Sequence, residues 1–224
     1  MTTAPTIAAA GRHPAARSAA GSTQHWPFMR TDDLYALPTG LPVPVDDGAC
    51  DHLRQAMLPT VQLRATSGAA VDISQEGNPW LVIYCYPRMG RPEQEPPGGL
   101  LAWNAIPGAR GCTPQSCAYR DHYSELTRLG TTVYGLSTQD TEYQAEAAQR
   151  LHLPYPLLSD AALQFSGRLR LPTFTVPGFE LIKRLTLIAR AGRIEEVFYP
   201  VFPSDADAGR VVEWLAAHSS ERRT

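Results

Sequence analysis

Residues Trp80-Leu81-Val82-Ile83-Tyr84-Cys85-Tyr86 form an unbroken apolar run that Pro87 stops. A run of that length, rich in β-branched and aromatic residues, reads as a buried central strand. A buried strand needs partners in the sheet and cover on its faces, so the neighbouring segments must supply both. Cys85 lies inside the run and is expected to point into the core, where free cysteines behave as small hydrophobes.

The rest of the chain continues an alternating pattern. Tyr119, Tyr123, Leu126 and Leu129 fall at helical spacing and Gly130 supplies a stop, which predicts a helix over about 113–129 with Pro114 tolerated in its first turn. A strand at 132–137, a helix at about 141–151, a short extended 156–158 and a helix at about 160–168 follow. Residues 184–190 and 193–199 flank Ala191-Gly192 as an antiparallel hairpin, and 206–217 makes a closing amphipathic helix. Upstream, residues 34–60 are Pro-rich and irregular, and Val71-Asp72-Ile73-Ser74 suggests a short hairpin strand. The order βαβ, then α, then ββα is similar to that of a thioredoxin-like fold: an α/β domain with a central mixed sheet flanked by helices and an extended N-terminal lead-in.

At 224 residues, with 43% hydrophobic and 19% charged residues, the chain is in the ordinary globular class, and one domain over 31–224 is the simplest division. A net charge of −2 offers no general attraction to nucleic acid or to an anionic membrane. No apolar run approaches the roughly 20 residues that span a bilayer. Residues 1–30 are rich in Ala, Thr, Ser and Gly, and no acidic residue occurs among them, so a disordered tail is expected there, with Met29 as an alternative start. Four cysteines are too few for a disulfide framework in a chain this long, which points to a reducing compartment, with the cytoplasm as the default.

Two of those cysteines, Cys112 and Cys117, stand five positions apart at the start of the 113–129 helix. A thiol in a helix first turn meets backbone N–H groups and the positive end of the dipole, which favour thiolate over thiol and make it a nucleophile. In an intact helix, Cα atoms five apart are roughly 8.7 Å from each other. A disulfide wants about 4.4–6.8 Å. Pairing the two would therefore unwind the first turns, at low cost because Pro114 contributes no helical N–H. The six histidines show no metal-ligand spacing; Cys112, Cys117 and His122 on one helix end make a poor zinc site, and none is expected. Cys50 is expected as a passive loop thiol, with an intermolecular resolving role as the alternative.

The stretch Gly111-Cys112-Thr113-Pro114-Gln115-Ser116-Cys117-Ala118-Tyr119-Arg120-Asp121 resembles the active site of the peroxiredoxins, specifically the Q-type branch, the bacterioferritin-comigratory-protein group of thiol peroxidases. The resemblance runs from about Pro59 to Leu215. It takes in Tyr86-Pro87, Tyr134-Gly135-Leu136-Ser137, Leu157-Leu158-Ser159-Asp160 and Lys183-Arg184-Leu185-Thr186-Leu187, in that order. It implies a peroxidatic Cys112 that becomes a sulfenic acid and a resolving Cys117 that closes an intramolecular disulfide. The spacing of Arg120-Asp121 from Cys112 supports that assignment over its reverse. The resemblance further implies that Arg184 stabilises the thiolate and polarises the peroxide. The expected partners are a hydroperoxide substrate and thioredoxin or glutaredoxin/glutathione as reductant, with no metal, haem or other cofactor, and with monomer and homodimer both open.

The chain departs from the family pattern before the thiol. Ala105 and Ala109 stand where a proline and a Thr or Ser are expected. Pro87 is then the candidate for the family proline, separated from Cys112 by an insertion at about 88–111, with Thr113 or the N–H of Gly111 as the donor to the peroxide. A loop longer than about 12–15 residues is more often functional than structural, and this one is expected to lie over the site. Two other readings compete. A thiol–disulfide oxidoreductase would normally carry Cys-x-x-Cys, which is absent. A non-enzymatic redox sensor on the same scaffold remains compatible with the fold.

Overall fold

The computed structural model describes residues 32–220. The tail expected over 1–30 lies outside the described residues. The strands are β1 (Gln62–Ala65), β2 (Ala70–Asp72), β3 (Trp80–Cys85), β4 (Thr131–Ser137), β5 (Leu157–Ser159), β6 (Thr173–Val176), β7 (Phe179–Ile182), β8 (Leu185–Arg190) and β9 (Arg193–Phe198). The α-helices are α1 (Leu100–Ala105), α2 (Cys112–Asp121), α3 (Tyr123–Arg128), α4 (Thr141–Arg150), α5 (Gln164–Leu169) and α6 (Asp207–Ser220). Seven strands form one mixed sheet in the order β2-β1-β5-β4-β3-β8-β9, and β6 and β7 form a separate hairpin. β3, β4 and β5 run parallel; β8 returns antiparallel beside β3, and β1 beside β5.

The apolar run is β3, and all six of its residues are buried. Because a strand presents alternate residues to opposite faces, Leu81, Ile83 and Cys85 enter one core with Phe165, Leu187 and Ile194. Trp80, Val82 and Tyr84, with Tyr86 beyond, enter the other with Tyr119, Leu126, Val211 and Leu215. The helix-bearing crossover from β3 to β4 delivers the Cys112 thiol to the carboxyl end of β3, where open α/β sheets carry their sites. Gly135 in β4 is required by that packing: a Cβ there would lie 2.6 Å from Tyr84 and from Leu157.

Several elements differ from the sequence expectation. The single helix over 113–129 is two helices, interrupted at His122, whose N–H bonds to both Ala118 O and Arg120 O. The helix expected at about 160–168 is α5, which begins at Gln164 because the Asp160 carboxylate accepts from the N–H groups of Phe165 and Ser166 and holds the preceding turn. The 88–111 segment is not all loop. Its α1 places Trp103 in a small core with Ala109, Val176 and Leu181, so it packs on the β6–β7 hairpin, which periodicity alone did not reveal. Cys50, expected as a passive loop thiol, stands in a turn and is buried in the core that holds Leu53, Leu63 and Ile194. Burial and nearby Asp47 and Asp46 push its thiol up to about 12. Among the described residues, no helix is long and apolar enough to cross a membrane.

Candidate active site

α2 begins at Cys112 because Gly111, at φ +107°, turns the chain into it. Only glycine fits there. A Cβ at position 111 would meet Ser204 Oγ at 2.2 Å and Leu37 Cδ2 at 2.7 Å, and Ser204 Oγ donates to Gly111 O at 2.8 Å. The Cys112 side chain, 4% exposed, thus sits in the first turn with the helix N-terminus behind it.

Arg184, one residue before β8, is 3% exposed and spends its guanidinium on the segment that leads to this thiol. Nε donates to Gly108 O at 3.2 Å, Nη2 to Ala109 O and Arg110 O at 3.2 Å each, and Nη1 to Gln115 Oε1. Nη2 also lies 3.2 Å from Cys112 Sγ. A buried guanidinium in contact with sulfur is a charge-assisted donor to a thiolate. The planar fork cannot reach all these acceptors unless residues 108–112 keep this course, so the same contacts that hold the cation fix the thiol.

Cys117 lies on the same helix, half-buried; burial pushes its thiol up, and Arg120 partly offsets this. Arg120 is held by Asp121 at 2.9 Å and by Leu151 O at 3.0 Å. Both sulfurs are free thiols here. The cleft at Cys112 is lined by Leu34, Arg88, Gly90, Trp103, Arg110 and Thr113 and encloses about 10 Å³, room for about one water. Its roof is pinned: Arg110 pairs with Asp32 and donates to the carbonyls of Asp33 and Ala36.

The remaining expected site residues fall differently. Thr113 lines the cleft, but its hydroxyl is buried and donates to Met89 Sδ at 3.5 Å. Pro87 ends the buried run with its carbonyl accepting from Ser137 Oγ at 3.1 Å, and it does not line the cleft. Among the described residues, no cluster of three or more His, Cys, Asp or Glu side chains is arranged to hold a metal. Sequence reasoning missed Gln115, which touches Arg184, and Arg110; nothing in their spacing distinguishes them from ordinary helix and loop residues. An apolar cavity of about 380 Å³ lies across Gly108 and Arg184, with Val45, Ile106 and Phe174 in its wall, and Cys112 does not line it.

A mixed sheet with helices on both faces, carrying its thiol at the head of the β3–β4 crossover, is a thioredoxin-like architecture. A model of the Redoxin family matches residues 54–212. Peroxiredoxin Q of Oryza sativa subsp. japonica is 27% identical over 161 residues, covering 70% of this chain and 64% of that protein. The chain therefore spans just under two thirds of the length of that plant relative. Peroxiredoxin Bcp of Escherichia coli is 27% identical over 165 residues, covering 72% of this chain and 94% of that protein. The crystal structure of BcpB from Mycobacterium tuberculosis superposes with a TM-score of 0.60 at 23% identity, covering 73% of this chain and 96% of that one, and shows the shared fold. The chain belongs to the Redoxin family, in its Q-type, bacterioferritin-comigratory-protein-like peroxiredoxin branch.

Proposed function

We propose that this protein is a thiol-dependent peroxidase that reduces hydrogen peroxide or organic hydroperoxides. The observation that carries the reading is the contact of Arg184 Nη2 with Cys112 Sγ at the N-terminus of α2, with Cys117 on the same helix. The Cys112 thiolate attacks one oxygen of ROOH, the O–O bond breaks, and the departing alkoxide takes a proton to leave as ROH, giving a sulfenic acid at Cys112. Arg184 stabilises the thiolate beforehand and the developing negative charge on oxygen during the step. The Cys117 thiolate then attacks Cys112 Sγ; hydroxide leaves, is protonated to water, and a disulfide forms. A dithiol of the thioredoxin class, or glutathione with glutaredoxin, reduces the disulfide by exchange.

A second reading, a non-enzymatic redox sensor, draws on the narrow cleft and on the Thr113 hydroxyl being engaged with Met89. Turnover separates the two. Peroxide consumption with dithiothreitol or a thioredoxin system should continue for many equivalents per protein and be abolished by Cys112→Ser. Consumption that stops after one equivalent would replace the peroxidase with the sensor.

A further inference from the structure

Asp207, the first residue of α6, is fully buried on the far side of Gln115 from Arg184. Its Oδ2 accepts from Gln115 Nε2 at 2.8 Å, Tyr119 OH at 2.9 Å and Thr186 Oγ1 at 2.7 Å, whereas Oδ1 has no hydrogen-bond partner among the described residues. A carboxylate in such a place is expensive to bury. Burial pushes its carboxyl up, against the pull of the three donors and Arg184. Helix capping does not account for it, since all three donors are side chains on other elements.

The geometry shows what the carboxylate organises. Gln115 has one amide with a donor end and an acceptor end. Arg184 can only donate and an ionised Asp207 can only accept. Gln115 is therefore oriented without ambiguity, Nε2 to Asp207 and Oε1 to Arg184 Nη1. Three consecutive hydrogen bonds then run from Asp207 through Gln115 and Arg184 to Cys112 Sγ. Hydrogen bonds in such a buried chain polarise one another, so a carboxylate at one end strengthens the hold on the guanidinium at the other. Tyr119, a second donor to Asp207, is itself fixed by stacking on Tyr84 with ring centroids 4.3 Å apart. The anchor is thus rigid on its protein side.

We propose that Asp207 is a positioning residue for the Cys112 reaction, holding Arg184 in its contact with the thiol through Gln115. The inference rests on the peroxidase reading only in taking Cys112 and Arg184 as the reacting pair.

The test is a double-mutant cycle on Asp207→Ala and Gln115→Ala, with Asp207→Asn as the conservative variant. Rates of Cys112 reaction are read with hydrogen peroxide and, separately, with iodoacetamide, and the thiolate ultraviolet absorbance at neutral pH is read beside them. Each alanine variant should slow the peroxide reaction by about ten- to a hundredfold and diminish the thiolate absorbance, as expected for losing one charge-assisted contact. The double variant should be no slower than the slower single one, because both substitutions break the same chain. Asp207→Asn keeps an acceptor for Gln115 and should regain most of the loss. Multiplicative losses in the double variant, or a folded Asp207→Ala protein within about twofold of the parent, would overturn the proposal. Should Asp207→Ala not fold, the cycle of Asp207→Leu, which removes the acceptor while keeping the side-chain volume, with Gln115→Ala decides in the same way. If the parent protein itself fails to react with peroxide, the peroxidase reading falls, and the iodoacetamide rates still decide the positioning role: parallel slowing upholds it and equal rates reject it.

Discussion

Closing a disulfide between Cys112 and Cys117 must take apart a packed piece of the molecule, and the structure says how large a piece. Both residues belong to α2, and helical geometry sets their Cα atoms roughly 8.7 Å apart, beyond the disulfide range of about 4.4–6.8 Å. Unwinding residues 112–117 breaks tertiary hydrogen bonds that fasten this turn. They include Gln115 to Asp207, Arg184 to Gln115, Ser116 to Tyr84, Tyr155 to Ser116, and Thr113 to Met89. At about 1 kcal/mol for each bond, their loss costs about 5 kcal/mol. The short disulfide loop returns about 2 kcal/mol by restricting the unfolded chain. We predict an oxidised form less stable than the reduced one by about 3 kcal/mol, or about 6–12 °C in Tm for a chain of this size. Differential scanning calorimetry of the reduced and oxidised protein, with Cys117→Ser carried through the same treatment, measures it. An oxidised protein whose disulfide is verified by peptide mapping and whose Tm equals or exceeds that of the reduced form would refute the reasoning.

Four further outcomes are expected. Arg184→Met should slow peroxide oxidation of Cys112 by about 10²–10³-fold in stopped-flow measurements, the range for removing a charge-stabilising donor, and a loss under about threefold would remove Arg184 from the mechanism. Gly111→Ala should cost about 2–4 kcal/mol in urea unfolding, since the new Cβ meets Ser204 and Leu37 at a φ of +107°. Lys183 and Tyr199 hold the exposed Asp47 carboxyl down at about 2. Its contribution to stability is therefore present above the ordinary carboxylate range and fades as pH falls towards 2, so Asp47→Asn should flatten the acid limb of a Tm-against-pH curve, and an unchanged limb would count against the cluster. Arg110→Ala frees the Asp32–Ala36 segment from the cleft roof and should raise the rate with cumene hydroperoxide more than with hydrogen peroxide; equal changes would mean that the roof does not select.

The sheet was legible where physics is local. β3, β4, β8 and β9 declared themselves through apolar runs and a two-residue turn, and the thiol pair through its place at a helix start. The β6–β7 hairpin left a usable signal, Pro177-Gly178 between two β-rich runs, yet the sequence reading assigns no element between 168 and 184. α1 was not legible: Leu101 in it is 88% exposed and Trp103 alone anchors it, so no periodicity arises. The break at His122 has no sequence signal, because Tyr119, Leu126 and Leu129 keep their spacing across it, and the structure offers no physical account of it. In the site, Arg184 came from a family resemblance rather than from its own sequence context, where it reads as a strand-flanking surface residue. Asp207 looked like an ordinary acidic residue in a helix first turn. Its burial depends on α6 packing over α2 and β8, a tertiary fact that no local pattern encodes.

The central claim, that Cys112 takes the oxygen and Cys117 resolves it, is tested most directly by peptide mass mapping after one equivalent of hydrogen peroxide. A Cys112–Cys117 disulfide is expected in the parent protein, a sulfenic or sulfinic acid confined to Cys112 in Cys117→Ser, and no oxidised cysteine in Cys112→Ser. Oxidation appearing first at Cys117, or persisting unchanged in Cys112→Ser, would contradict it.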